Sequence, residues 1–248
     1  MRRKAKAFIG TSGWSYKHWH GRFYLEEIKP KDYFNYYTKF FKTVELNNSF
    51  YMIPKKETFA QWKEKSPKDF LFSVKASRLI THIKKLKDVK ETLDWFILNA
   101  ERLEEKLGVI LFQLPPSWKF DEGQFSDFLD ILPKGLRCTF EFRNPTWYND
   151  KVLDLLQKHN AAFCIYELNG HRSPEEVTAD FVYIRLHGPA GKYQGSYTNK
   201  ILASWADKIS GWMEEKRDVF CYFDNDQEAY AAFNAQTLLE MTQEKVKI

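Results

Sequence analysis

The chain has 248 residues, a formal net charge of +5 and a pI near 8.9; 44% of its residues are hydrophobic and 17% aromatic. That composition supports a sizeable core and excludes a disordered chain, and the length suits a single barrel domain of about 250 residues spanning 1–248. Cys138, Cys164 and Cys221 form no CxxC pair and each falls within an apolar run, which argues against a disulfide framework or a cysteine metal site.

The positive charge comes largely from Met1–Lys6 and Lys84–Lys87, read as solvated surface. No segment has the form of a signal-peptide core or a membrane span, so a soluble, cytoplasmic protein with no membrane partner is expected.

Eight short apolar segments recur along the chain, most of them ending in a charged or amide residue. The first runs from Lys6 to Gly10 and enters Thr11-Ser12-Gly13-Trp14. An aromatic loop follows, and Pro30 starts a helix, a favoured role for proline. The second strand is Thr43 to Asn47, then a loop over 48–54 and a helix over 56–65. The third is Phe70 to Lys75; its loop carries Arg78 and His82, and a helix spans 91–107. The fourth, Val109 to Leu114, is stopped by Pro115-Pro116.

Asp121 caps the next helix, which ends before Pro133. The fifth strand covers Leu136 to Arg143, with a helix over 149–159. The sixth is Ala161 to Glu167, and the segment 169–177 after it is the least helix-like connection. The seventh is Asp180 to His187, the eighth Val219 to Asp224, with helices over 200–216 and 227–241. Strands alternating with helices predict an α/β fold, a closed parallel (β/α)8 TIM barrel with its chemistry at the strand C-termini.

Strand parity sharpens this expectation, because side chains alternate across a strand. Thr139, Glu141 and Arg143 share one face of the fifth strand, opposite Cys138, Phe140 and Phe142. Tyr183, Arg185 and His187 oppose Val182, Ile184 and Leu186; Glu45 and Asn47 oppose Val44 and Leu46. The apolar faces meet the helices, so the polar faces point into the barrel near its mouth.

The same blocks carry a family resemblance. Ile9-Gly10-Thr11-Ser12-Gly13-Trp14, Thr43 through Tyr51, Arg78 through His82, Gln113-Leu114-Pro115-Pro116, Glu141 through Trp147, Arg185-Leu186-His187-Gly188 and Tyr222 through Asp226 together resemble the YecE-like family, domain of unknown function 72. The resemblance spans nearly the whole chain and implies a TIM barrel, but carries no established reaction.

Candidate catalytic residues are Glu45, Glu141, His187 and Asp224, carboxylates and an imidazole suited to acid/base work if their environments split their pKa values. Candidate binding residues are Thr11, Trp14, Asn47, Tyr51, Lys75, Arg78, Gln113, Arg143, Trp147, Arg185 and Asn225. The cationic set of Lys75, Arg143 and Arg185 favours a small anionic substrate, sugar-like or phosphorylated, because guanidinium forks match phosphate and carboxylate. The competing reading makes the carboxylates structural partners of these cations.

Two further alternatives are metal-dependent phosphodiester chemistry on nucleic acid and a ligand-binding barrel without turnover. No cofactor is expected. A divalent metal on Glu45, Glu141, His187 and Asp224 is the weaker possibility, since no short ligand spacing supports it. Oligomeric state has no sequence signal.

Overall fold

All eight apolar segments become parallel strands. The computed structural model describes residues 4–246, so part of the basic Met1–Lys6 run lies outside the described residues. The strands are β1 (Ala7–Thr11), β2 (Thr43–Leu46), β3 (Leu71–Lys75), β4 (Leu107–Gln113), β5 (Cys138–Glu141), β6 (Ala162–Leu168), β8 (Phe181–Leu186) and β9 (Asp218–Phe223). A two-residue strand, β7 (His171–Arg172), pairs antiparallel with β6. The ladder runs β1-β9-β8-β6-β5-β4-β3-β2. A nearly closed single-domain barrel results, with helices between the strands.

The remaining seam, between β1 and β2, is joined by little strand pairing. The Gly13 amide donates to the Glu45 carbonyl at 2.8 Å beside a lone Ser12–Glu45 bridge. Below it the buried Tyr37 hydroxyl stands in for a ladder bond, accepting from the Thr11 amide (3.0 Å) and donating to the Thr43 carbonyl (2.9 Å). Gly10 is required here, because a Cβ would lie 2.5 Å from the Thr43 carbonyl oxygen.

The helices are α1 (Tyr33–Tyr37), α2 (Asn48–Tyr51), α3 (Lys56–Lys65), α4 (Lys90–Ala100), α5 (Glu122–Asp130), α6 (Asp150–Lys158), α7 (Asn199–Glu214) and α8 (Tyr230–Val246). Asp121 caps α5 as expected, accepting from the Gln124 amide at 3.0 Å, and Asn149 caps α6 through the Val152 amide. The short α2 replaces an expected loop. The helix expected over 91–107 is shorter, because beyond Ala100 the chain tightens into a 3-10 segment in which Glu104 takes a positive φ. No helix joins β6 to β8; the β7 hairpin occupies that place.

Inward side chains divide the barrel interior into three zones. Phe8, Val109, Phe181 and Phe220 make an apolar foot. Above them the Tyr222 hydroxyl hydrogen-bonds Thr43 (2.6 Å) and Ser73 (2.9 Å). The ionic residues lie above that, at the C-terminal mouth. Outward faces of the strands pack with the helices in a second core rich in aromatics, including Phe72, Phe140 and Trp205.

Candidate functional site

Arg185, on the inward face of β8, is the hub of the mouth. Its Nη2 and Nε fork onto Glu45, to Oε1 at 2.7 Å and Oε2 at 2.9 Å. Its Nη1 donates to Glu141 Oε2 at 2.7 Å, and Nη2 also reaches Asp224 Oδ2 at 3.3 Å. One guanidinium thus collects carboxylates from β2, β5 and the end of β9, which are remote in sequence and brought together by strand parity and closure.

The acids are buried, and Glu45 and Glu141 are satisfied at both oxygens. Glu45 receives further hydrogen bonds from the Ser12 hydroxyl (2.5 Å) and the Tyr183 hydroxyl (2.7 Å). Arg143 Nε donates to the other oxygen of Glu141. Burial pushes the Glu141 pKa upward, but the Arg143 and Arg185 charges outweigh it and hold it well below the usual carboxylate range. Asp224 is lowered in the same way, burial being overcome by its hydrogen bond with His187 and by Arg185 and Lys75.

His187 is fully buried between the two arginines and Asp224. Arg143 Nη2 lies 2.9 Å and Arg185 Nη1 3.3 Å from its Nε2, and Asp224 Oδ2 lies 3.0 Å from its Nδ1. A guanidinium can only donate, so Nε2 accepts, and the proton is assigned to Nδ1 and donated to Asp224.

Above this layer opens a cleft of about 550 Å³. Lys75, Arg143 and Lys192 line it with Phe50, Tyr51, His82, Gln113, Tyr166, His171 and Tyr193, and no Asp or Glu does. The acids lie beneath the cations. Arg143 stacks over the Tyr166 ring, 4.4 Å from its centroid, and its Nη1 has no hydrogen-bond partner among the described residues. Lys75 Nζ lies 4.4 Å from the Phe50 ring centroid. Burial, then the Lys75 and Arg78 charges, pull His82 down to about 4.

Glu45, Lys75, Glu141, Arg143, Arg185, His187 and Asp224 therefore meet at one barrel end, with Asn47 donating to Ser12 beside them and Tyr51 and Gln113 on the cleft wall. Other expected binding residues lie elsewhere. Thr11 is fully buried on the outward face of β1, bonded to Tyr37; its neighbour Ser12 is the inward residue. Trp14 packs on Phe34 and Trp62. Trp147 is buried against Phe142 and Phe125, its indole N–H donated to the Trp118 carbonyl. Asn225 is buried and donates to the Gly195 carbonyl and to Asn234, tying down a loop. Arg78 is exposed on the turn after β3, outside the cleft lining.

Residues not anticipated as functional are Ser12, Phe50, Tyr166, His171 and Lys192; parity places Tyr183 inward without assigning it a role. Parity could also have found Tyr166, inward beside Glu167. The loop residues have no periodic signal.

Among the described residues, no group of three or more His, Cys, Asp or Glu side chains is arranged to hold a metal ion. Nor, among them, is any helix long and apolar enough to cross a membrane.

Eight parallel strands, a helical exterior and a polar cluster at the strand C-termini define a TIM-barrel protein. More particularly, the chain belongs to the family described as Protein of unknown function DUF72, whose model matches residues 8–248. It is 24% identical to the UPF0759 protein YunF of Bacillus subtilis, over 94% of each chain. It is 29% identical to the UPF0759 protein YecE of Escherichia coli K12, over 57% of this chain and 50% of that one. The crystal structure of a DUF72 family protein from Thermotoga maritima superposes with a TM-score of 0.87 at 28% identity, covering 96% of this chain and 99% of that one. A DUF72 family protein from Enterococcus faecalis shares the fold at 19% identity, TM-score 0.82, over 96% and 95% of the two chains.

Proposed function

We propose that the protein is an enzyme that binds a small anionic molecule, sugar-like or phosphorylated, in the cleft at the barrel mouth. The observation that carries this is the segregation of charge: Lys75, Arg143 and Lys192 line the cleft while Glu45 and Glu141 are tied down by Arg185 in the layer below. Arg143 is the central ligand, with a free Nη1 and a planar fork suited to phosphate or carboxylate.

Arg143 also occupies one oxygen of Glu141 and the Nε2 of His187. An anion that draws Arg143 toward itself frees that Glu141 oxygen and leaves His187 Nε2 with only the longer Arg185 contact at 3.3 Å. Glu141 and the Asp224–His187 pair then become available for proton transfer, with Glu45 holding Arg185 in place. Binding and acid/base competence are coupled through one side chain.

The test is a thermal titration with phosphate and sulfate. Both anions raise the melting temperature of the protein, and Arg143→Ala abolishes the rise; no protection, or protection unchanged in Arg143→Ala, overturns the reading.

The complete pairing of Glu45 and Glu141 favours a second reading, a ligand-binding barrel without turnover. Glu141→Gln separates the two once an unbiased metabolite screen has supplied a ligand. In the enzyme it remains folded, still binds and loses turnover by roughly 100-fold or more; in the binding barrel no turnover exists to lose.

A further inference from the structure

Lys75 stands apart from the two arginines of the mouth, and unlike the loop residue Lys192 it is carried by a barrel strand. Its parity places it on the inward face of β3, two residues above Ser73, and it lines the cleft. Arg185 and Arg143 each hold carboxylates, yet among the described residues Lys75 Nζ has no carboxylate within 4.0 Å. Arg185 and Arg143 have already taken the Glu45 and Glu141 oxygens. Nζ lies instead against the Phe50 ring.

From this placement we infer that the ε-amine of Lys75 is a carbonyl-reactive nucleophile, forming an imine with an aldehyde or ketone that bears an anionic group. The inference rests on the anion reading of the cleft and adds the ligand's electrophile to it. An unpaired amine on an apolar wall, facing an accessible cleft, is the arrangement in which lysine attacks carbonyl carbon.

The step balances without a co-reactant. The Nζ lone pair bonds to the carbonyl carbon, and the π pair moves to oxygen, which takes a proton from solvent. The nitrogen releases its proton, the carbinolamine loses water, and a C=N bond remains. Arg143 and Lys192 hold the anionic end.

Electrostatics act in the same direction. Burial, then the Arg185 charge, lower the Lys75 pKa to about 8, against the opposing pull of Glu141, Glu45 and Asp224. His82 faces Lys75 from the following turn and is itself held low, adding no positive charge near neutrality. At pH 7 an amine of pKa about 8 is unprotonated about one time in ten, against less than about one in a thousand for an ordinary lysine near 10.4.

The experiment uses the full chain and pyridoxal 5′-phosphate, an aldehyde carrying a phosphate, at equimolar ratio. Borohydride reduction fixes any imine as a secondary amine, and peptide mass spectrometry locates it. Lys75 is expected to carry at least about tenfold more label than any other lysine. Its labelling should rise with pH to a midpoint near 8. Lys75→Arg should lose that adduct while keeping the melting temperature. Label spread over exposed lysines with none concentrated at Lys75, or a site adduct that persists in Lys75→Arg, overturns the inference.

Pyridoxal without the phosphate separates the two readings. If it labels Lys75 as well as the phosphate ester does, the imine stands and the anion reading falls. If phosphate protects against heat while Lys75 stays unlabelled, the anion reading stands and the imine falls.

Discussion

The two ends of the barrel interior are built from the same strands by opposite means. At the foot, Phe8, Phe181 and Phe220 fill the space with apolar volume, Phe8 and Phe220 stacking at 4.9 Å. At the mouth, Arg185, Glu45, Glu141 and Asp224 fill it with charge, at most a tenth exposed. Apolar packing tolerates changes that conserve volume. A buried ionic cluster does not tolerate loss of a member, because the partners left behind are charged and out of reach of water. The hydroxyls of Tyr183 and Tyr222 lie between, that of Tyr183 donated to Glu45 and that of Tyr222 bonded to Thr43 and Ser73. The comparison teaches that the foot supplies stability with slack, whereas the mouth fixes geometry with little.

The largest test of that contrast pairs Arg185→Met with Phe220→Leu. Removing the guanidinium strands Glu45 and Glu141 and should cost ~3–5 kcal/mol or unfold the protein. The exchange at the foot removes ring volume but strands no charge and should cost about 1–2 kcal/mol. Equal shifts of the urea midpoint would break the comparison.

Tyr222→Phe probes the layer between. It strips the hydroxyl from Thr43 and Ser73 and should cost about 1–2 kcal/mol. A loss as large as that of Arg185→Met would mean that the middle layer, not the ionic cluster, holds the mouth.

Acid should act on the mouth. Glu141 and Asp224 have folded pKa values below their ordinary ones, so the unfolded chain takes up protons first as pH falls through about 4. Their contribution is complete above that range and disappears as pH drops toward the folded values. Melting temperature followed from pH 7 downward should therefore fall more steeply in the wild type than in Asp224→Asn, which lacks one of the two groups. Identical slopes would remove Asp224 from the account.

The smallest effect is expected at Tyr51, 74% exposed on the cleft wall. Tyr51→Ala should change stability by less than about 0.5 kcal/mol. Any effect it has should appear in the affinity for phosphate, measured by the same titration as Arg143→Ala.

Much of this architecture was legible in the sequence because both of its signals are periodic. Glu45 and Asn47, Tyr183, Arg185 and His187, and Thr139, Glu141 and Arg143 keep strict alternation, and a period of two assigns a face without knowledge of neighbours. Thr11 shows the limit: the first strand is apolar on both faces and offers no alternation to read, and the inward position belongs to Ser12. Trp147 was misread for another reason. A loop aromatic carries no pattern, and only the fold reveals that a 3-10 turn folds it under Phe142 and Phe125. The pairing of Arg185 with Glu45, 140 residues away, was open from sequence, since parity says which groups share the lumen but not which touch.

The Tyr37 hydroxyl between β1 and β2 has a consequence for motion. Everywhere else the barrel wall is stitched by backbone to backbone, but at this height one phenol joins two strand edges. The Thr11 amide should therefore exchange its hydrogen with solvent sooner than the amides of β8 and β9, and in Tyr37→Phe sooner still. An edge that parts there leaves the strand amides and carbonyls on either side without partners.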